Sequence, residues 1–152
     1  MSSPKLSQNH NEQPVFVAGG SGYVGGRLVP RLLEDGYRVR ALARNPEKLR
    51  SRRWGNHPQL EIVPGDVLDY PCLLQALEGC RAAYYLVHSM NPEVDDFSHT
   101  DRIAAMHMTR AAAAANLKQI IYLGGLGEQG SGLSHHLQSR SEVGQVLQLG
   151  PV

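Results

Sequence analysis

The chain has 152 residues, with 15 Lys and Arg against 14 Asp and Glu and a formal charge of +1. That length suits one domain with its own core, and so even a balance excludes a strong field for nucleic acid or an anionic membrane surface. No run approaches the ~18 consecutive apolar residues of a membrane span, and Cys72 and Cys80 lack metal-type spacing.

Residues 1–13 are polar and lack the apolar centre of a signal peptide, so they read as a disordered lead-in before one domain over 14–152. Without a secretion signal, the protein is expected in the cytoplasm, with both thiols reduced and partly buried. The first ordered element is an apolar strand, Val15-Phe16-Val17-Ala18, followed at once by Gly19-Gly20-Ser21-Gly22-Tyr23-Val24-Gly25-Gly26 and a helical pattern at Val24, Leu28 and Leu32. Strand, glycine turn and helix form the context in which a dinucleotide fingerprint carries weight. Gly19 lets the chain turn where a Cβ would clash. Gly22 lets a diphosphate reach the unpaired amides of the first helical turn, where the helix dipole is positive. Gly25 lets the helix lie close to the strand. The turn's binding residues are therefore Gly19, Ser21, Gly22, Tyr23, Val24 and Gly25.

The first helix should run to about Asp35, kinked at Pro30 and stopped by Gly36. Residues 37–43 alternate as a second strand, with Val39, Ala41 and Ala43 on one face. Asn45-Pro46-Glu47 starts a short helix whose basic residues, Lys48, Arg50, Arg52 and Arg53, read as a solvated face. A third strand spans 60–63, and Asp69-Tyr70-Pro71 opens a helix that Gly79 closes. The fourth strand, 82–87, is nearly all apolar, as a strand covered on both faces should be. A polar loop over 90–96 leads to a long helix over 97–116, in which His99 and His107 read as surface residues. A fifth strand over 119–123, a glycine turn and a helix over 134–149 complete the pattern. Strict alternation of strand and helix implies a parallel sheet covered on both faces, with right-handed crossovers favouring the doubly wound order 3-2-1-4-5. A pocket is expected where the winding reverses, at the C-terminal ends of the first and fourth strands.

Gly19-x-x-Gly22-x-x-Gly25, Gly65-Asp66-Val67-Leu68-Asp69 and Tyr85-Leu86-Val87-His88-Ser89 together resemble the short-chain dehydrogenase/reductase superfamily. The likeness is to its extended or atypical branch, which holds epimerase/dehydratase-like and NmrA-like proteins. It implies a Rossmann-type domain that continues past Val152 into a sixth strand and a substrate region, so the chain is expected to be cut before them. It also implies that Asp66, with Val67 beside it, meets the adenine ring and that Leu86, Val87 and His88 pass the ribose. A turn-forming Asp66 and a strand-end His88 satisfied locally are the plain alternatives.

NAD binders carry an acid at the end of the second strand, roughly 20 residues past the glycines, for the ribose 2′-hydroxyl. Ala43-Arg44-Asn45 stands there instead. A guanidinium cannot accept from a hydroxyl but pairs with a 2′-phosphate, so Arg44 points to NADP over NAD. Arg40 lies in the same alternation phase.

The resemblance also implies a Tyr-x-x-x-Lys pair on the helix after the fifth strand and a hydroxyl at that strand's end. His136-Leu137-Gln138-Ser139-Arg140 occupies that span, and Gly124 and Gly125 the hydroxyl position. His136 and Arg140 share one helical face. Either the imidazole takes over acid/base work near neutrality, or both residues simply face solvent. Two functions follow: the NAD(P)-binding part of an oxidoreductase or nucleoside-diphosphate-sugar epimerase-like protein with a non-standard active site, or a non-catalytic NmrA-like dinucleotide sensor. Relatives pair through their long helices, which makes a homodimer an expectation, although the run from Ala111 to Ala115 could equally pack on its own sheet.

Overall fold

A computed structural model describes residues 12–87, 97–123 and 135–152. Side chains of 97, 98 and 135–141 lie outside that description, as do the lead-in up to residue 11 and His88. Five parallel strands, β1 (Val15–Ala18), β2 (Val39–Ala43), β3 (Leu60–Pro64), β4 (Ala82–Tyr85) and β5 (Gln119–Tyr122), form one sheet in the order β3-β2-β1-β4-β5. The helices are α1 (Gly25–Glu34), α2 (Glu47–Arg50), α3 (Tyr70–Leu77), α4 (Phe97–Ala114) and α5 (His135–Gln148).

The strand β1 is central because its residues suit nothing else: Val15, Phe16, Val17 and Ala18 are all buried, and both edges pair, Val15 with Val39 and with Ala82. Alternate side chains feed two cores. Val15, Val17 and Val39 meet Val29, Leu32 and Leu33 of α1 on one face. Phe16, Ala18, Leu42, Ala83 and Tyr85 meet α3, α4 and α5 on the other. The apolar stripe of α1 thus runs through Val29, Leu32 and Leu33, while Val24 remains 41% exposed at the helix start. The helix continues through Pro30 and ends at Asp35, with Gly36 at φ +88 making the left-handed exit that glycine permits.

Ala104, Ala105, Met108, Ala111 and Ala112 are buried in the chain's own core, so the small side chains of α4 serve its packing on the sheet and neighbouring helices. Arg102 and Glu142 join α4 to α5 at 3.0 Å. Arg40, the one polar residue of β2, faces away from the sheet's C-terminal end: its guanidinium meets Glu61 at 2.8 Å and donates to the carbonyls of Ala76 (2.8 Å) and Glu78 (2.6 Å) at the end of α3. It supplies donors to carbonyls that a helix C-terminus leaves unpaired. Cys80 beside it is buried and Cys72 half-buried, both as free thiols. Among the described residues no helix is long and apolar enough to cross a membrane.

Candidate functional site

The strand β1 ends in the glycine turn, and each glycine there answers to a distinct neighbour. Gly19 has φ +94, and a Cβ on it would stand 2.8 Å from the Leu86 carbonyl oxygen, so β1 and β4 close together only because none exists. A Cβ on Gly25 would collide with the Gly19 carbonyl and lie 2.6 Å from Gly20 Cα. Gly25 therefore lets α1 press on the turn backbone rather than on the strand itself. A Cβ on Gly22 would find only the Gly19 oxygen, at 3.5 Å, and otherwise open space.

The amide of Gly22 donates to Gly19 (3.2 Å) and that of Gly26 to Gly22 (2.8 Å), so helical bonding begins inside the turn. No described residue accepts from the amides of Tyr23, Val24 or Gly25, and α1 has no side-chain cap. Amides without an acceptor among the described residues at a helix start, beside a position where a Cβ would occupy open space, fit a diphosphate.

A cleft of about 570 Å³ opens over the C-terminal ends of β1, β2, β3 and β4. Gly19, Ser21, Gly22, Arg44, Asp66, Val67 and Leu86 line it, as does Val87. Tyr23, Val24 and Gly25 are outside its wall and can contribute through their amides. Tyr23 is 76% exposed, with the Arg27 guanidinium 3.8 Å above its ring. Arg44, exposed at the end of β2, has no described hydrogen-bond or ion-pair partner. Asp66 accepts from the Leu68 amide at 3.0 Å through one carboxylate oxygen, the local turn its residue type favours. A carboxylate has a second oxygen, so this bond does not use up its acceptors.

Three features run against the sequence reading or escape it. His107 is not a surface residue: its Nδ1 lies 3.1 Å from the Val67 carbonyl, its ring packs edge-on against Tyr70 at 5.7 Å, and α4 is thereby tied to the loop carrying Asp66. Arg52 is exposed, as a solvated face requires, but also donates to the Ser21 carbonyl at 3.2 Å, a contact its charge run did not show. Asp101 lines the cleft with Thr100 and Ala104 and is only 6% exposed. It shares the spacing of Ala104, Ala105, Met108, Ala111 and Ala112, so an acid in phase with a buried stripe was the available signal.

The catalytic assignments receive no such geometry. His136 and Arg140 fall within α5, but their side chains, like all of His88, lie outside the described residues. Tyr85 sits fully buried at the end of β4, and its phenol is pushed well above the usual range, first by burial and then by Asp101, Tyr122 and Asp66. A reductase tyrosine needs the opposite shift to exchange its proton near neutrality, so Tyr85 is no stand-in for the missing Tyr-x-x-x-Lys.

Residues 19–148 match a family described as NAD(P)H-binding. The chain is 29% identical over 119 residues to cinnamoyl-CoA reductase 1 of Petunia hybrida, covering 76% of this chain and 36% of that protein. The NADPH-dependent quinone oxidoreductase of Escherichia coli, complexed with NADPH, is similar over 91% of this chain and 46% of its own, with TM-score 0.73 and 21% identity. A nucleoside-diphosphate-sugar epimerase of Staphylococcus aureus is similar over 91% of this chain and 47% of its own, with TM-score 0.76 and 15% identity. The structural likenesses show the shared fold, and the chain spans 36% of the length of the Petunia relative. Because the family match runs from the first glycine of the turn to the last residue of α5, the chain belongs to the NAD(P)H-binding family, as an NAD(P)-binding Rossmann domain of the short-chain dehydrogenase/reductase superfamily.

Proposed function

We propose that this domain binds NADP in preference to NAD and serves a carbonyl-reducing enzyme. The observation that carries this reading is Arg44: an exposed guanidinium on the cleft wall at the end of β2, without a described partner, where an NAD site would hold an acid. Its planar fork suits a 2′-phosphate and has nothing to offer a 2′-hydroxyl acceptor. In this arrangement the amides of Tyr23, Val24 and Gly25 hold the diphosphate, with Gly19, Ser21 and Gly22 leaving room for it. Asp66 takes the adenine amine on its second oxygen, Val67 backs the ring, and Leu86 and His88 flank the ribose. Hydride transfer is the chemistry that the nicotinamide supplies when bound. The Petunia relative, a cinnamoyl-CoA reductase, supports reduction of a carbonyl, and the fold shared with the epimerase leaves sugar-nucleotide chemistry as a related alternative.

Calorimetric titration of wild type and Arg44→Ala with NADPH and NADH tests the cofactor. Loss of one charge-assisted pair predicts roughly a ten- to hundredfold weaker NADPH affinity for Arg44→Ala, with NADH little changed. Equal wild-type affinities for the two would refute the preference.

One observation favours a second reading. In sequence His136 and Arg140 fall in the span where the resemblance expects Tyr and Lys, and a nearby guanidinium would disfavour the imidazolium that would donate a proton. A non-catalytic dinucleotide sensor, paired as a homodimer through α4 and α5, fits that replacement. Turnover of NADPH by the full-length protein against a carbonyl panel separates the two: steady consumption supports the reductase, and tight binding without consumption the sensor.

A further inference from the structure

The basic run after α2 and the second glycine of the Gly25-Gly26 pair remain outside the fingerprint, and the structure brings them together. The Arg52 guanidinium lies flat over Gly26: a Cβ there would be 3.6 Å from NH1 and 3.9 Å from Cζ and NH2. From that seat NH2 donates to the Ser21 carbonyl at 3.2 Å. Ser21 and Gly22 line the cleft and Arg52 does not, so the guanidinium holds the turn from outside the cleft wall.

We propose that Arg52, seated on Gly26, is a positioning residue of the dinucleotide site. It pins the Ser21–Gly22 peptide and so keeps the turn's amides, rather than its carbonyl oxygens, toward the diphosphate. The carbonyl of Ser21 and the amide of Gly22 belong to one planar unit and point in opposite directions. That unit is held at both ends, by Gly22 N–H on the Gly19 oxygen and by Arg52 on the Ser21 oxygen. The next carbonyl, of Gly22, is taken by the Gly26 amide. With both oxygens engaged, the amides of Tyr23, Val24 and Gly25, which have no acceptor among the described residues, are left for an anion. Released, the Ser21 peptide could rotate and turn an oxygen's partial negative charge toward the phosphates, which a preorganised donor set avoids. The glycine beneath is part of the device, since a longer side chain at position 26 would occupy the guanidinium's seat.

The inference rests on the dinucleotide reading of the cleft and not on the 2′-phosphate role of Arg44. Three probes separate them by calorimetry: ADP-ribose has the diphosphate alone, 2′-AMP the 2′-phosphate alone, and NADPH both. Arg52→Met should weaken ADP-ribose and NADPH by the same factor, roughly three- to tenfold, and leave 2′-AMP unchanged. Arg44→Ala should weaken 2′-AMP and NADPH and spare ADP-ribose. Gly26→Leu, which displaces Arg52 without altering any charge and gains helix propensity, should reproduce Arg52→Met, and Arg52→Lys should recover part of the loss. Unchanged ADP-ribose affinity in both Arg52→Met and Gly26→Leu would overturn the proposal. So would an Arg52→Met loss that Gly26→Leu does not share, since that is a charge effect alone. Wild type that binds no ADP-ribose would sink the dinucleotide reading and this inference together.

Discussion

Gly22 and Gly25 look equivalent in the fingerprint, yet their surroundings predict opposite failures on gaining one methyl group. At Gly22 a Cβ would meet only the Gly19 oxygen, at 3.5 Å, which is ordinary contact, and its φ is not in the left-handed region. Gly22→Ala should therefore fold, and a less flexible unfolded chain should leave stability unchanged or raised by about 0.5 kcal/mol. The methyl would instead stand where a diphosphate approaches the amides. Losing one charge-assisted hydrogen bond, at about 1.5–3 kcal/mol, weakens NADPH roughly ten- to a hundredfold, and losing two weakens it further. At Gly25 the methyl would collide with the Gly19 carbonyl and come within 2.6 Å of Gly20 Cα, both backbone atoms that cannot step aside. Overpacking of that kind costs about 1–3 kcal/mol or more, which lowers Tm by roughly 3–10 °C for a chain this long. Thermal melts with and without NADPH, combined with calorimetry, read both effects. A Gly22→Ala protein that melts early, or that binds NADPH as wild type does, would refute the assignment of that glycine to the ligand.

Arg40→Met should lower stability by about 1–3 kcal/mol without touching NADPH affinity, because Arg40 works between Glu61 and the carbonyls ending α3, away from the cleft; urea unfolding beside a binding titration checks this. Burial pushes the Cys80 thiol up to about 11, with Arg40 opposing and Glu61 adding. The native state then holds a proton that an unfolded thiol with a value near 9.0 releases, so this contribution to stability is complete below pH 9 and is lost as pH climbs toward 11. Melts from pH 8 to 11 should steepen their decline in wild type relative to Cys80→Ala, and a parallel decline would refute it.

The parallel order was legible because β1, β2 and β4 are short apolar runs divided by helix starts with capping chemistry, such as Asp69 accepting from the Cys72 amide at 3.2 Å. The glycine turn was legible because its glycine spacing between an apolar run and a helical pattern is a local signal, although Leu86 and Arg52 also bear on the turn from elsewhere in the chain. What escaped depends on distant partners. Whether Arg40 or Arg44 serves the cleft is a matter of which end of β2 each occupies, and their shared alternation phase could not separate them. The contacts of exposed Arg52 and half-buried His107 escaped because a sequence shows neither the Ser21 carbonyl nor the Val67 carbonyl within reach. Of the two sequence readings of Asp66, the turn acceptor is the one the structure shows, on one carboxylate oxygen.

The charges around the cleft are of both signs, which bears on what could occupy it. The amides after β1 and the Arg44 guanidinium at the end of β2 supply donors. Asp66, after the adjacent strand β3, supplies an acceptor. A ligand that is anionic throughout, such as a polyphosphate or nucleic acid backbone, would gain at the donors and be repelled at the carboxylate. A ligand that is neutral throughout would leave the amides and Arg44 unused. A dinucleotide alternates phosphates with amine- and hydroxyl-bearing rings, and so uses both kinds of group at once. This complementarity involves the glycine turn, Arg44 and Asp66, so a dinucleotide affinity tests it directly, apart from any measurement of turnover.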